Sequence, residues 1–122
     1  MKKILLITVL LLGIVLINSQ KLVADMTGKY TQVRAQHILV KTEDEAKNLK
    51  TDIENGKITF EDAAKQYSQC PSGTKGGDLG FFGRGMMVKE FEDASFNSEK
   101  GKVSNPVQTQ FGWHLIKVTD KK

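Results

Sequence analysis

Two histidines and one cysteine are the side chains in this 122-residue chain whose chemistry could be shared across a site. His37 stands in Gln36-His37-Ile38-Leu39-Val40 and His114 in Trp113-His114-Leu115-Ile116, so both imidazoles lie in apolar runs rather than in loops. A histidine in such a run is ordinarily satisfied by local hydrogen bonds, and that reading applies to each taken alone. Two of them in the first and last strands of one small sheet could meet. A closed structural zinc site needs four ligands, and two histidines with Cys70 fall one short. A thiol hydrolase would need a lowered cysteine pKa, an orienting acid or amide and an oxyanion pocket, and no local nucleophile signature accompanies Cys70. Cys70 is the single cysteine, so it has no partner for a disulfide within the chain. It reads either as a small buried hydrophobe or as a thiol whose chemistry is wanted in place. The glycines from Gly73 to Gly85 lack the Gly-Lys-Ser/Thr ending of a phosphate loop and are read as turn geometry.

The elements that would position these groups are legible from periodicity. Thr31 to Lys41 alternates as a strand, with Val33, Ala35, His37 and Leu39 on one face and Arg34, Gln36, Ile38 and Val40 on the other. Thr42 and Glu45 form a capping-box signature, and the helix that follows carries Ala46, Leu49 and Ile53 on one stripe and stops near Gly56. A second helix starts near Thr59 and packs Phe60, Ala63, Ala64 and Tyr67. Cys70-Pro71-Ser72-Gly73 and Gly76-Gly77 then predict a turn without regular structure. Leu79 to Phe82 is a short strand or extended bend, and a third helix covers about Val88 to Asn97, with Met87, Phe91, Ala94 and Ser95 on one side. Val103 to Thr109 is expected as a strand with Pro106 at its edge. Trp113 to Val118 closes a hairpin with it, and His114, Ile116 and Val118 share one face. Helices combined with a largely antiparallel sheet make the class α+β.

The N-terminus follows a different pattern. Lys2 and Lys3 precede an apolar run from Ile4 to Ile17, shorter than the ~20 residues a membrane-spanning helix needs. This matches a secretory signal peptide over residues 1–24, or a signal anchor, since Leu22 is large for the −3 position of a cut after Ala24. Residues 25–31 read as a short linker and residues 32–122 as one domain. The signal segment holds Lys2, Lys3 and Lys21 and no acid, so without it 18 basic residues become 15 against 14 acidic ones. The net charge of +4 falls to +1, which removes any support for nucleic-acid binding.

Taken together, these segments resemble the parvulin family of peptidyl-prolyl cis/trans isomerases. Gln36-His37-Ile38-Leu39-Val40 is similar to the family's opening strand, and Gly76-Gly77-Asp78-Leu79-Gly80-Phe81-Phe82 to its central glycine segment. The run from Gly85 to Phe96 (Gly-Met-Met-Val-Lys-Glu-Phe-Glu-Asp-Ala-Ser-Phe) resembles its pocket helix, and Phe111-Gly112-Trp113-His114-Leu115-Ile116 its closing strand. The resemblance covers about Val33 to Val118 in the family's order. It implies a parvulin-like, FKBP-like fold with about four antiparallel strands and three to four flanking helices. Together with the signal-like N-terminus it implies an exported enzyme, periplasmic or extracellular, that turns Xaa-Pro bonds without covalent chemistry, metal or cofactor.

The same resemblance implies roles for particular residues. Leu79, Met87 and Phe91 would hold the substrate proline ring, with Phe111 also binding substrate; by spacing alone, Leu79, Met87 and Phe91 read as ordinary core. His37, Cys70, Thr109 and His114 would form the catalytic polar cluster, the histidines holding tautomers rather than transferring protons. Expected partners are proline-containing unfolded or extended polypeptides and no nucleic acid. Membrane contact is expected only through an uncleaved N-terminal segment, and a monomer suffices. The mostly acidic stretch Lys41-Thr42-Glu43-Asp44-Glu45 sits where phosphate-directed relatives carry basic residues, so no phospho-Ser/Thr requirement is expected. The rival reading is a non-catalytic module that uses the same groove to hold extended segments.

Overall fold

The computed structural model describes residues 30–122, so the expected signal segment (1–24) and most of the linker (25–31) lie outside the described residues. Four strands, β1 (Gln32–Val40), β2 (Asp78–Gly83), β3 (Val107–Thr109) and β4 (Gly112–Lys121), form one antiparallel sheet in the order β2-β1-β4-β3. Three helices accompany it: α1 (Glu43–Glu54), α2 (Phe60–Tyr67) and α3 (Lys89–Asn97).

The predicted alternation of β1 becomes two cores, one on each side of the sheet. Ile38 and Val40, with Leu115 of β4, meet Ala46 and Leu49 of α1 and Phe60, Ala63 and Ala64 of α2. Val33 and Ala35, with Ile116 and Val118 of β4, meet Phe82 of β2 and Phe91 and Phe96 of α3. Full burial of a side chain such as Phe60 contributes roughly 1.5–3 kcal/mol. The helix starts follow local chemistry. Thr42 accepts from the Glu45 N–H at 3.2 Å and Thr59 from the Asp62 N–H at 3.1 Å. Each satisfies an otherwise orphaned donor and stabilises its helix by about 1 kcal/mol.

Four local expectations change. Tyr67 continues the apolar spacing of α2 but, as the last residue of the helix, is half exposed. The predicted turn after Cys70 is a short 3-10 helix, Pro71–Lys75, with proline in its first turn, where the missing N–H costs nothing. The long strand expected from Val103 shrinks to β3; Val103 keeps only an isolated bridge to Lys117, and Pro106 offers no donor to extend the ladder. Phe96, absent from the predicted packing face of α3, is buried beside Phe82.

Candidate active site

β1 pairs directly with β4, with Leu39 opposite His114 and His37 opposite Ile116, so the two histidines sit diagonally on one face of adjacent strands. Their rings stack at 5.4 Å with an interplanar angle of 17°, and the two Nδ1 atoms lie 3.2 Å apart. Phe91 of α3 meets both rings edge-on, at 5.4 Å from His37 and 5.2 Å from His114.

The backbone around His37 is held by a close approach. The His37 N–H donates to the Gly77 carbonyl at 2.9 Å. A Cβ on Gly77 would stand 2.3 Å from the His37 carbonyl oxygen, and its φ of +84° is left-handed, so only glycine fits against this strand.

The polar groups join end to end. The Phe111 N–H donates to Thr109 Oγ1 at 3.1 Å, and Thr109 Oγ1 lies 2.7 Å from His114 Nε2. Beyond the imidazole pair, His37 Nε2 lies 3.0 Å from Ser72 Oγ, which in turn donates to Cys70 Sγ at 3.3 Å. One proton assignment uses every donor. The Thr109 hydroxyl, already accepting from Phe111, donates to His114 Nε2. His114 then carries its proton on Nδ1 and donates to His37 Nδ1, and His37 donates from Nε2 to Ser72. The reverse assignment leaves the Thr109 hydroxyl proton without an acceptor in this chain of contacts. The relay requires both rings neutral. Burial, reinforced by the neighbouring His114, pushes His37 down from 6.5 to about 4, and burial lowers His114 as well.

Beside this relay opens a cavity of about 500 Å³, lined by His37, His114 and Cys70 on one side and by Leu79, Met87, Val88 and Phe91 on the other, with Met86 and Phe111 exposed at its rim. Among the described residues no Lys, Arg, Asp or Glu lines it. All four residues expected to bind substrate, Leu79, Met87, Phe91 and Phe111, are therefore brought to one cavity. Of the four expected in the polar cluster, His37, His114 and Thr109 connect directly. Cys70 joins only through Ser72, and Thr109 stands behind His114 rather than in the cavity wall.

Ser72 is the member that sequence reasoning missed. Its place in the Cys70-Pro71-Ser72-Gly73 turn suggests a turn residue, and a hydroxyl two positions after Cys70, on a turn begun by Pro71, is the available signal. Among the described residues no group of three or more His, Cys, Asp or Glu side chains is placed to hold a metal.

Comparison with known proteins places these features in a family. Residues 29–120 match the family described as the rotamase PPIC-type PPIase domain. The chain is 55% identical over 92 residues to the foldase protein PrsA of a Geobacillus species (strain WCH70), which covers 75% of this chain and 33% of that protein. The crystal structure of the peptidylprolyl isomerase PrsA from Bacillus anthracis superposes with a TM-score of 0.74 at 44% identity, covering 80% of this chain and 45% of that one. The solution structure of NmPin, the parvuline of Nitrosopumilus maritimus, gives a TM-score of 0.68 at 39% identity, over 76% of this chain and 100% of that one. This chain spans about a third of the length of the curated relatives it matches.

Proposed function

This chain belongs to the PPIC-type PPIase family, and on that premise we propose that it accelerates cis/trans isomerisation of Xaa-Pro bonds in exported polypeptides during their folding. The observation that carries the reading is the cavity that joins an uncharged apolar wall to a neutral, fully connected polar relay. Rotating the peptide bond meets a barrier of ~18–20 kcal/mol and takes tens to hundreds of seconds unaided. No bond breaks, so a 10⁴-fold acceleration needs only ~5.4 kcal/mol of preferential binding of the twisted state.

Leu79, Met87 and Phe91 grip the proline ring in a setting that holds little water. Twisting removes amide resonance and returns charge to nitrogen, and a less polar setting favours that state. His37 and His114 fix the shape and polarity of the floor while remaining neutral. Thr109 and Ser72 set their tautomers from either end, and Cys70 terminates the chain of hydrogen bonds. On this reading the histidines transfer no proton, so His37→Asn in a folded protein retains substantial activity; complete loss would overturn the role.

Unfolded or extended proline-containing segments are the proposed substrates. Acidic Glu43, Asp44 and Glu45 fill the first turn of α1, directly after β1, and repel a phosphorylated side chain. Phosphorylation of the residue before proline therefore lowers turnover, and equal or faster turnover would contradict the assignment. Export rests on the signal-like residues 1–24.

The decisive measurement is cis/trans exchange in an Ala-Xaa-Pro-Phe peptide series by NMR exchange spectroscopy, which needs no coupling protease. Acceleration that falls in Met87→Ala and Phe91→Ala supports the enzyme and its pocket. Unchanged exchange, with peptide signals shifting on titration, would instead support a module that binds such segments without turning them.

A further inference from the structure

The wall of the cavity formed by Met86 and Met87 belongs to the loop between β2 and α3, whose Met87 and Val88 pack partly against the core of Phe82 and Phe91, while its tip at Gly85 and Met86 stands outside that packing. Met86 is 68% exposed, and Gly85, at φ +83°, has open space where a Cβ would be. Order in such a segment depends on its polar anchors. Glu92 supplies two of them. Its Oε1 accepts the Gly85 N–H at 2.5 Å, and its Oε2 lies 3.8 Å from the Arg84 guanidinium. Arg84 in turn lies over the Phe96 ring at 4.1 Å. Glu92 is the residue after Phe91 in the first turn of α3, so one helix turn places an aromatic ring against the imidazoles and a carboxylate against the loop. An N–H bond to a carboxylate is roughly twice as strong as one between neutral groups.

We propose that Glu92 is a positioning residue for the substrate pocket, tying the Met86–Met87 wall to the helix that carries Phe91 so that the proline ring meets a preformed cleft. The inference rests on the isomerase reading of this cavity. It differs from a plain stabilising role for an acid in the first turn of a helix, where only the charge matters. Two substitutions separate the roles. Glu92→Asp keeps the charge but withdraws the acceptor from Gly85 by one methylene. Glu92→Gln keeps the acceptor within reach and removes the charge.

The test uses the full chain, purified in detergent micelles, with two readouts: peptide exchange rates as a function of peptide concentration, and the ¹³C-methyl signals of Met86 and Met87. Glu92→Asp is expected to raise KM about fivefold with kcat within about twofold and to shift or broaden both methyl signals, while Glu92→Gln, which keeps a neutral acceptor for Gly85 and gives up the 3.8 Å ion pair with Arg84, is impaired less in each. The inference is overturned if Glu92→Asp behaves as the parent does, or if Glu92→Gln is the more impaired. Should the parent protein fail to accelerate exchange, the isomerase reading falls, and the methyl signals of the two variants still decide whether Glu92 holds the loop.

Discussion

The two faces of the sheet are drawn from alternate residues of the same strands, yet they differ in kind. Behind the face of Ile38, Val40 and Leu115, helices α1 and α2 close a core of aliphatic and aromatic side chains. The face of Val33, Ala35 and Ile116 is equally buried toward one end. It changes at His37 and His114, where the apolar row is interrupted by two imidazoles and opens into the cavity. Phe91 belongs to both worlds, with its ring against Phe82 at 6.0 Å and against both imidazoles. One face can thus be optimised for packing alone, while the other must also keep two histidines uncharged and a groove empty.

Paired substitutions separate the faces most sharply. Phe60→Ala and Phe91→Ala each delete a buried ring and are expected to cost about 3–5 kcal/mol in denaturant unfolding. Under conditions where both variants remain folded, Phe60→Ala keeps its exchange activity per folded molecule and Phe91→Ala loses most of it. Equal activities would erase the distinction between the faces.

Both histidines of the chain lie on the same side of the sheet, so mild acid acts there before it reaches the carboxylates of Glu61 and Asp78, which are held below their ordinary range. The unfolded chain protonates His37 near 6.5, whereas the folded protein does so only near 4. Between those values the unfolded state binds more protons, so stability is intact above about 6.5 and is lost progressively as pH falls toward 4. The loss is on the order of 3 kcal/mol for His37, with His114 acting in the same direction. The melting temperature should fall through this window, while exchange by the folded protein holds until pH nears 4. A flat profile would show that the imidazoles are not buried as neutral groups.

The smallest contrast compares two threonines. Thr109→Val removes the anchor of His114 and Thr42→Ala the cap of α1, each at about 1–2 kcal/mol. Activity should fall for Thr109→Val and hold for Thr42→Ala, and a reversal would separate the relay from catalysis.

Local chemistry was enough for much of this protein. The helix starts at Thr42 and Thr59 follow from a side-chain oxygen three residues before a free N–H, and the two-faced character of β1 follows from a period of two. The family's motif order pointed to Leu79, Met87, Phe91 and Phe111, and the fold gathers all four at one cavity. Other features depend on chain segments distant in sequence meeting in space, which no local pattern records. The bond from Ser72 to His37 crosses 35 positions, and the contact between His37 and His114 crosses 77. Residues carry equal apolar or hydroxyl character in the sequence whether they end up inside or out, which is why spacing alone buries Tyr67 and makes Ser72 a turn residue. Strand pairing decided the neutrality of the histidines too, because only burial between β1, β4 and Phe91 removes the water that would otherwise stabilise their charge.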